Sequence, residues 1–386
     1  MPLRVLVAPS GFKESLSAEE VAAAICAGVS RADPTAACSS VPLVDGGEGF
    51  ASALAAATGG RLVTRTVTGP VGQPVEAHLA VLGGPGPRTA VVEMAQAGGL
   101  RLVPRDLRDP LRTTSYGVGE LLNAALELGA EQVLVGCGDS GVSDGGAGMA
   151  QALGARLLDA DGAELGRGGA ELSRLARIDL SGVDPRWRDV PIEVACNATN
   201  VLTGERGVAR VFGPQKGATP EAVEHLAGAL EHYARLVAEQ HGVDVTGPGS
   251  GASGGLGAGL QLVLGGHLRP RYEVVMRYVD LDGLLDDADL VLTAEGSLDD
   301  QTPHGKVPCE VARRAKERGL PVIALAGTLG RRHEVVAESG IDAWASICEG
   351  PVSLETALER GEQLLTSAAE RVMRAVLVGR ALALAA

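Results

Sequence analysis

The sequence predicts an α/β fold in which a doubly wound parallel-sheet domain is built from both chain ends and a larger α+β domain is inserted between them. Three observations predict it. Continuous apolar runs at residues 3–8, 288–293 and 321–326 read as strands buried on both faces, the mark of parallel sheet. Helical segments alternate with these runs at either end of the chain, giving a βα rhythm. From residue 62 to 93 that rhythm yields to alternating runs at 63–67, 75–81 and 89–93, separated by Gly-Pro turns, the pattern of an antiparallel meander. The doubly wound domain is therefore expected over residues 1–65 and 285–386, and the inserted one over 66–284. At 386 residues the chain exceeds one ordinary core of roughly 100–150 residues.

Taken in order, the first strand leads to Ser17-Ala18-Glu19-Glu20, a helix N-cap with acidic first-turn residues ahead of an apolar stretch at 21–29. Residues 41–44 read as a second strand ending in Asp45-Gly46-Gly47-Glu48-Gly49 before an Ala-rich helix. That turn has an echo, Asp144-Gly145-Gly146-Ala147-Gly148, again between an apolar strand and an Ala-rich helix. Such turns aim backbone N–H groups at an anion or cap their helix with the Asp. Residues 249–259 are Gly-rich and precede the apolar 260–264, so they offer a row of amides at a helix start. Past residue 285 come a strand at 288–293, a helix at 308–318, and strands at 321–326 and 344–347.

Composition excludes several functions. Net charge is 34 − 48 = −14, against general affinity for nucleic acid or anionic membrane. Aromatic residues are 2% of the chain, too few for stacking on bases. The six cysteines form no CxxC pair and read as buried free thiols in a reducing compartment. No stretch reads as a signal h-region or a span of ~20 residues, and a cytoplasmic enzyme is expected.

Only four of the 34 basic residues are Lys: Lys13, Lys216, Lys306 and Lys316. The first three lie in Gly- or Pro-studded loops, where a compact ammonium suits a phosphate better than a planar guanidinium. Lys316 reads as a solvated helix position. Gly136-Cys137-Gly138-Asp139-Ser140-Gly141 formally matches GxGxxG, a weak dinucleotide signal in a chain with 54 glycines. No GxxxxGK[ST] occurs, so this is not a P-loop hydrolase. Glu295-Gly296-Ser297-Leu298-Asp299-Asp300 follows a buried strand, and ligands of open α/β sheets bind at strand carboxyl ends. Acids there suit Mg²⁺ shared with nucleotide phosphates. His304 has no partner at ligand spacing and reads as a loop histidine.

The succession Ser10-Gly11-Phe12-Lys13, Asp45-Gly46-Gly47-Glu48-Gly49, Ser143-Asp144-Gly145-Gly146-Ala147-Gly148, Phe212-Gly213-Pro214-Gln215-Lys216-Gly217, Gly254-Gly255-Leu256-Gly257-Ala258-Gly259 and Glu295-Gly296 to Gly305-Lys306 resembles the bacterial type I glycerate kinases from end to end. The resemblance implies a two-domain architecture with one flavodoxin-like domain. It implies phosphorylation of D-glycerate by ATP with Mg²⁺, usually at the 2-hydroxyl, giving 2-phosphoglycerate and ADP. The chain departs from the family pattern at Ser10-Gly11, where the family has Asp-Ser, and at Asn197-Ala198-Thr199-Asn200-Val201-Leu202, where it has Asp-Val-x-Asn-Pro-Leu. Ser140-Gly141-Val142-Ser143-Asp144 stands for a family Ser-Ala-Thr-Asn-Asp.

On this reading Asp45 and Asp144 are candidates for base and metal support, with Glu295 and Asp299 as alternatives; the metal falls to Asp144 and Asp299. Lys13, Lys216 and Lys306 compensate charge. Gly145, Gly146, Gly254, Gly255, Gly257 and Glu295 bind the nucleotide, and Ser10, Lys13, Asp45, Asn197 and Asn200 the substrate. The partner is a small molecule, glycerate, for a monomer or homodimer; no nucleic acid or membrane is expected. A product phosphorylated at the 3-position, or a related hydroxy acid, is the alternative within the class. Outside it stand a non-catalytic anion-binding protein and an NAD(P)-dependent dehydrogenase.

Overall fold

The computed structural model describes residues 2–12, 15–43, 47–300, 302–303 and 306–385, with side chains to 382. The chain divides into two compact units, residues 1–45 with 275–386, and residues 46–274. Strands β1 (Arg4–Val7) and β2 (Ala37–Ser40) open the first unit. The second holds β3 (Arg61–Thr68), β4 (Pro74–Val81), β5 (Thr89–Glu93), β6 (Gln132–Gly136), β7 (Arg156–Leu158), β8 (Arg177–Asp179), β9 (Ile192–Cys196) and β10 (His267–Pro270). The first unit closes with β11 (Leu290–Leu298), β12 (Val322–Leu329) and β13 (Ala343–Ser346).

The chain-end unit carries one five-stranded sheet in the order β13-β12-β11-β1-β2, parallel throughout. Counted within the unit, this is the 2-1-3-4-5 order of flavodoxin-like sheets, whose switch point lies between the first and third strands, here β1 and β11. Val5 and Val7 enter one apolar cluster while Leu6 between them is equally buried, so β1 is covered on both faces. Ser17 and Glu20 form a reciprocal capping box at the start of helix Ala18–Ala32, as the sequence predicts. That helix packs along helix Gly361–Ala385. A Cβ at Gly28 would stand 2.4 Å from Thr366 O, so the close approach requires glycine.

The inserted unit has a six-stranded mixed sheet, β10-β9-β6-β5-β4-β3. The meander β3-β4-β5 is antiparallel, and β5, β6, β9 and β10 run parallel. Parallel register places Glu93 opposite Gly136, and Gly136 opposite Ala195, so the carboxyl ends of β5, β6 and β9 share one level. A hairpin, β7-β8, stands apart from this sheet.

Three details differ from the sequence reading. The second strand is at 37–40, not 41–44: Val7 pairs with Ser40 and the ladder ends there. Helix Phe50–Thr58 packs against β3, β4 and β5, and β3 pairs with β4, so the first chain crossing falls at 45/46 rather than near 65, and the second at 274/275 rather than 285. Lys316 is not a free surface lysine: its ammonium donates to Leu320 O at 3.0 Å and to Asp342 Oδ2 at 2.5 Å, and Asp342 also accepts the Val322 N–H.

Candidate active site

In the chain-end unit, functional groups gather where the switch-point strands end. Ser10 follows β1; its N–H and hydroxyl both donate to Ala294 O, at 2.9 and 3.1 Å, which sets it beside Glu295 on β11. Lys306, at the N-cap of helix Val307–Lys316, brings its ammonium 3.4 Å from both Glu295 Oε1 and Asp299 Oδ1 and donates to Ser297 O at 3.2 Å. The Ser297 hydroxyl donates to Asp299 Oδ2 at 3.1 Å. The Asp299 N–H donates to the buried Thr302 Oγ1 at 3.0 Å. Because β11 runs on to Leu298, Glu295 belongs to the strand itself, a more rigid mount than the loop expected. One cation thus stands between two carboxylates at the strand ends, where open α/β sheets bind their ligands. Lys13, Asp45 and His304 lie outside the described residues.

Magnesium can be tested against these donors. It takes oxygen ligands and is usually held by one or two carboxylates plus substrate phosphates. Glu295 and Asp299 fit that pattern. Among the described residues no group of three or more His, Cys, Asp or Glu forms a protein-only cage.

In the inserted unit the second Asp-Gly-Gly turn follows β6. Asp144 is fully buried. Its Oδ2 accepts the Ser115 N–H at 2.7 Å, the Ser115 hydroxyl at 2.9 Å and the Gly148 N–H at 3.2 Å, and its Oδ1 accepts the Gly146 N–H at 3.1 Å. Burial pushes this carboxyl's pKa up, against those hydrogen bonds, which pull it down. Donors meet both oxygens, so Asp144 caps the helix start that follows it.

The glycines of both loops pack within the inserted unit. The Gly145 N–H donates to Gly254 O at 3.0 Å and the Gly146 N–H to Asp144, so neither faces outward toward a nucleotide. Ser253, Gly254 and Gly255 all have positive φ, at 51°, 71° and 91°, and the regular helix begins only after them. A Cβ at Gly254 would fall 2.0 Å from Val142 O. Gly254, Gly255 and Gly257 are all buried, and a Cβ at Gly257 would stand 2.5 Å from Gly249 O. These glycines let two backbones touch.

Lys216 is buried at 2% exposure. It donates to Val142 O at 2.5 Å, Ser140 Oγ at 3.0 Å and Ser143 Oγ at 3.4 Å. Burial pushes its ammonium down to about 7, offset in part by the charge of Asp144. Its three donors all serve the 140–143 loop, which they brace. Asn197 and Asn200 follow β9. Asn197 Oδ1 accepts the Thr199 N–H and hydroxyl at 3.0 and 2.9 Å, and Asn200 O accepts the Gly251 N–H at 3.2 Å.

Gly136 to Gly141 does not open a helix. The Gly141 N–H donates to Gly98 O and the next helix starts at Ala147, so the dinucleotide fingerprint lacks its strand–turn–helix context. Sequence reasoning missed Glu93, a fully buried carboxyl at the carboxyl end of β5. An acid closing an otherwise apolar strand was the available signal.

Comparison with known proteins settles what the motifs belong to. The model of the glycerate kinase family matches residues 5–377. The chain belongs to the glycerate kinase family. Membership makes it a kinase, a transferase that uses ATP. It is 46% identical over 375 residues to a protein of Bacillus subtilis (strain 168) named glycerate kinase, covering 97% of this chain and 98% of that one. It is 45% identical over 378 residues to a protein of Escherichia coli (strain K12) named glycerate 2-kinase, covering 98% and 99%. A crystal structure from Salmonella typhimurium LT2 superposes with a TM-score of 0.80 at 46% identity, covering 98% of this chain and 100% of that one. Among the described residues no helix is long and apolar enough to cross a membrane.

Proposed function

We propose that this chain transfers the γ-phosphoryl group of Mg·ATP to the 2-hydroxyl of D-glycerate, giving 2-phosphoglycerate and ADP. The observation that carries the phosphate chemistry is Lys306 set between Glu295 and Asp299 at the carboxyl end of β11. The choice of the 2-hydroxyl leans on the name of the Escherichia coli relative. The substrate oxygen attacks phosphorus, its bond to the β-phosphate oxygen breaks, and the hydroxyl proton passes to a carboxylate. Asp45 is that carboxylate, since Asp144 is occupied as a cap. Lys306 offsets the charge spreading over the phosphoryl oxygens. Glu295 and Asp299 would hold Mg²⁺, which supplies further neutralisation of the phosphates. Ser10 and Lys13 orient the glycerate. All six cysteines are free, in keeping with a cytoplasmic setting.

The test is a coupled ADP-release assay over small hydroxy acids, followed by NMR of the product. Turnover with D-glycerate and phosphorus coupled to the C2 proton supports the reading. Phosphorus on C3 overturns the choice of hydroxyl, preference for another acid overturns the substrate, and tight glycerate binding without turnover reveals an anion-binding protein.

A further inference from the structure

Helix Ala18–Ala32 and strand β2 each carry one cysteine, and the fold sets the two against each other. Cys38 and Ser40 lie two residues apart on β2 and so share a face of the sheet. Cys26 stands on the helix at the rim of the apolar cluster of the chain-end unit, and Cys38 packs against the same cluster. The Cys38 thiol donates to Cys26 Sγ at 2.8 Å. A disulfide holds its sulfurs about 2.0 Å apart, so the gap left to close is under about 1 Å. Both cysteines are only partly buried. Strand β2 is the edge of its sheet and is otherwise exposed, so a small solute reaches the pair from solvent. The remaining thiols stand differently. Cys137, Cys196 and Cys309 are buried, and burial pushes each of them up. Cys348 donates to Gly327 O at 3.7 Å.

We propose that Cys26 and Cys38 form a reversible disulfide that staples the edge strand to the first helix, with a peroxide as oxidant, Cys26 as the attacking thiol and Cys38 as the resolving one. The Cys26 thiolate attacks one peroxide oxygen. An S–O bond forms, the O–O bond breaks, and hydroxide leaves and takes up a proton as water. The Cys38 sulfur then attacks Cys26 Sγ. The S–S bond forms, the S–O bond breaks, and the Cys38 proton leaves with the hydroxyl as a second water. The two sulfurs lose two electrons in all, and the O–O bond takes them. The direction of the hydrogen bond assigns the roles, because the thiolate is the nucleophile. The Cys38 thiol, as donor, lowers the Cys26 pKa against burial, and the Ser40 hydroxyl adds to this. The same contact, together with burial, pushes Cys38 up, so Cys38 keeps its proton until Cys26 is oxidised. In a reducing compartment such a bond is transient, which agrees with six free thiols in the unoxidised chain. Strand β2 pairs with β1 alone. Past its end the N–H groups of Val41 and Leu43 donate to Val7 O and Pro9 O, so the staple secures the edge that runs up to Ser10. None of these steps involves a nucleotide or glycerate.

The experiment exposes the full reduced chain to a slight excess of hydrogen peroxide, counts thiols after denaturation, and weighs tryptic peptides without reduction. Trypsin cuts after Arg31, between the two cysteines, so their disulfide appears as two peptides joined. The expected result is loss of two of the six thiols, a joined pair carrying Cys26 and Cys38, and recovery of all six with dithiothreitol. Cys38→Ser is expected to stop at a sulfenic acid on Cys26, captured by dimedone, while Cys26→Ser leaves Cys38 a thiol. If either variant does not fold, the peptide map of the wild type decides alone. Six thiols surviving, or two lost with no joined 26–38 pair, overturn the disulfide. A 26–38 link between two chains, seen as a dimer on a non-reducing gel, overturns it as well. Dimedone captured on Cys38 in Cys26→Ser overturns the assignment of roles. The readouts are thiols and masses, so an inactive wild type would overturn the glycerate reading and leave this result standing.

Discussion

The Lys216 ammonium donates to the main-chain oxygen of Val142 at 2.5 Å from a fully buried position. A lysine that the sequence places in a phosphate loop thus ties the 140–143 segment to the segment carrying Gly213 and Gly217. Its consequences are measurable through pH, because burial sets its ammonium near 7 against 10.5 when unfolded.

Between those values the unfolded chain holds a proton on Lys216 that the folded chain has released. Stability therefore rises with pH through that window and is lost as pH falls toward 7. Lys216→Met removes the group, so the melting temperature of the wild type minus that of the variant is expected to grow from pH 7 to pH 9.5. A flat difference would show that Lys216 stays charged in the fold.

Asp144→Asn is expected to act on stability first. An amide NH₂ must face Ser115, Gly146 or Gly148, all donors, at a cost of about 2 kcal/mol for a buried hydrogen-bonded charge. Denaturant unfolding measures it. Unchanged stability with collapsed turnover would return Asp144 to the reacting groups.

Lys306→Arg keeps the charge but puts a planar fork where an ammonium sits between two carboxylates. A displacement of about an ångström costs on the order of 10²-fold in kcat/KM, and Lys306→Ala should be little worse. Lys316 cannot be the neutral control, being engaged with Asp342. Arg61→Lys serves, at the exposed first position of β3, and is expected to be silent. Near-wild-type kcat/KM in Lys306→Arg would remove the phosphate site from this position.

Two glycine substitutions should move stability in opposite directions. Gly254→Ala meets both a positive φ and Val142 O and should cost at least about 2 kcal/mol. Gly228→Ala, in helix Pro220–His241 with nothing near its Cβ, should stabilise by up to about 1 kcal/mol. Paired denaturation curves check the contrast.

Much of the fold was legible in the sequence because it depends on near neighbours. The buried strands β1, β11 and β12 declare themselves as unbroken apolar runs, the meander as alternation, and the first helix through Ser17 and Glu20. The family was legible too, because its motifs stand in order along the whole chain. The tertiary structure alone decided which polar group serves which turn. Asp144 accepts the Gly148 N–H from within its own turn, whereas the Gly49 N–H goes to Glu93, 44 residues away. Likewise the donors of Gly145 and Gly146, free on paper, are consumed by Gly254 and Asp144 once two glycine loops close on each other. A hydrogen bond needs an acceptor within about 3 Å, and which chain end arrives within that distance is fixed by strand register and packing across the sheet, not by the residues next in line.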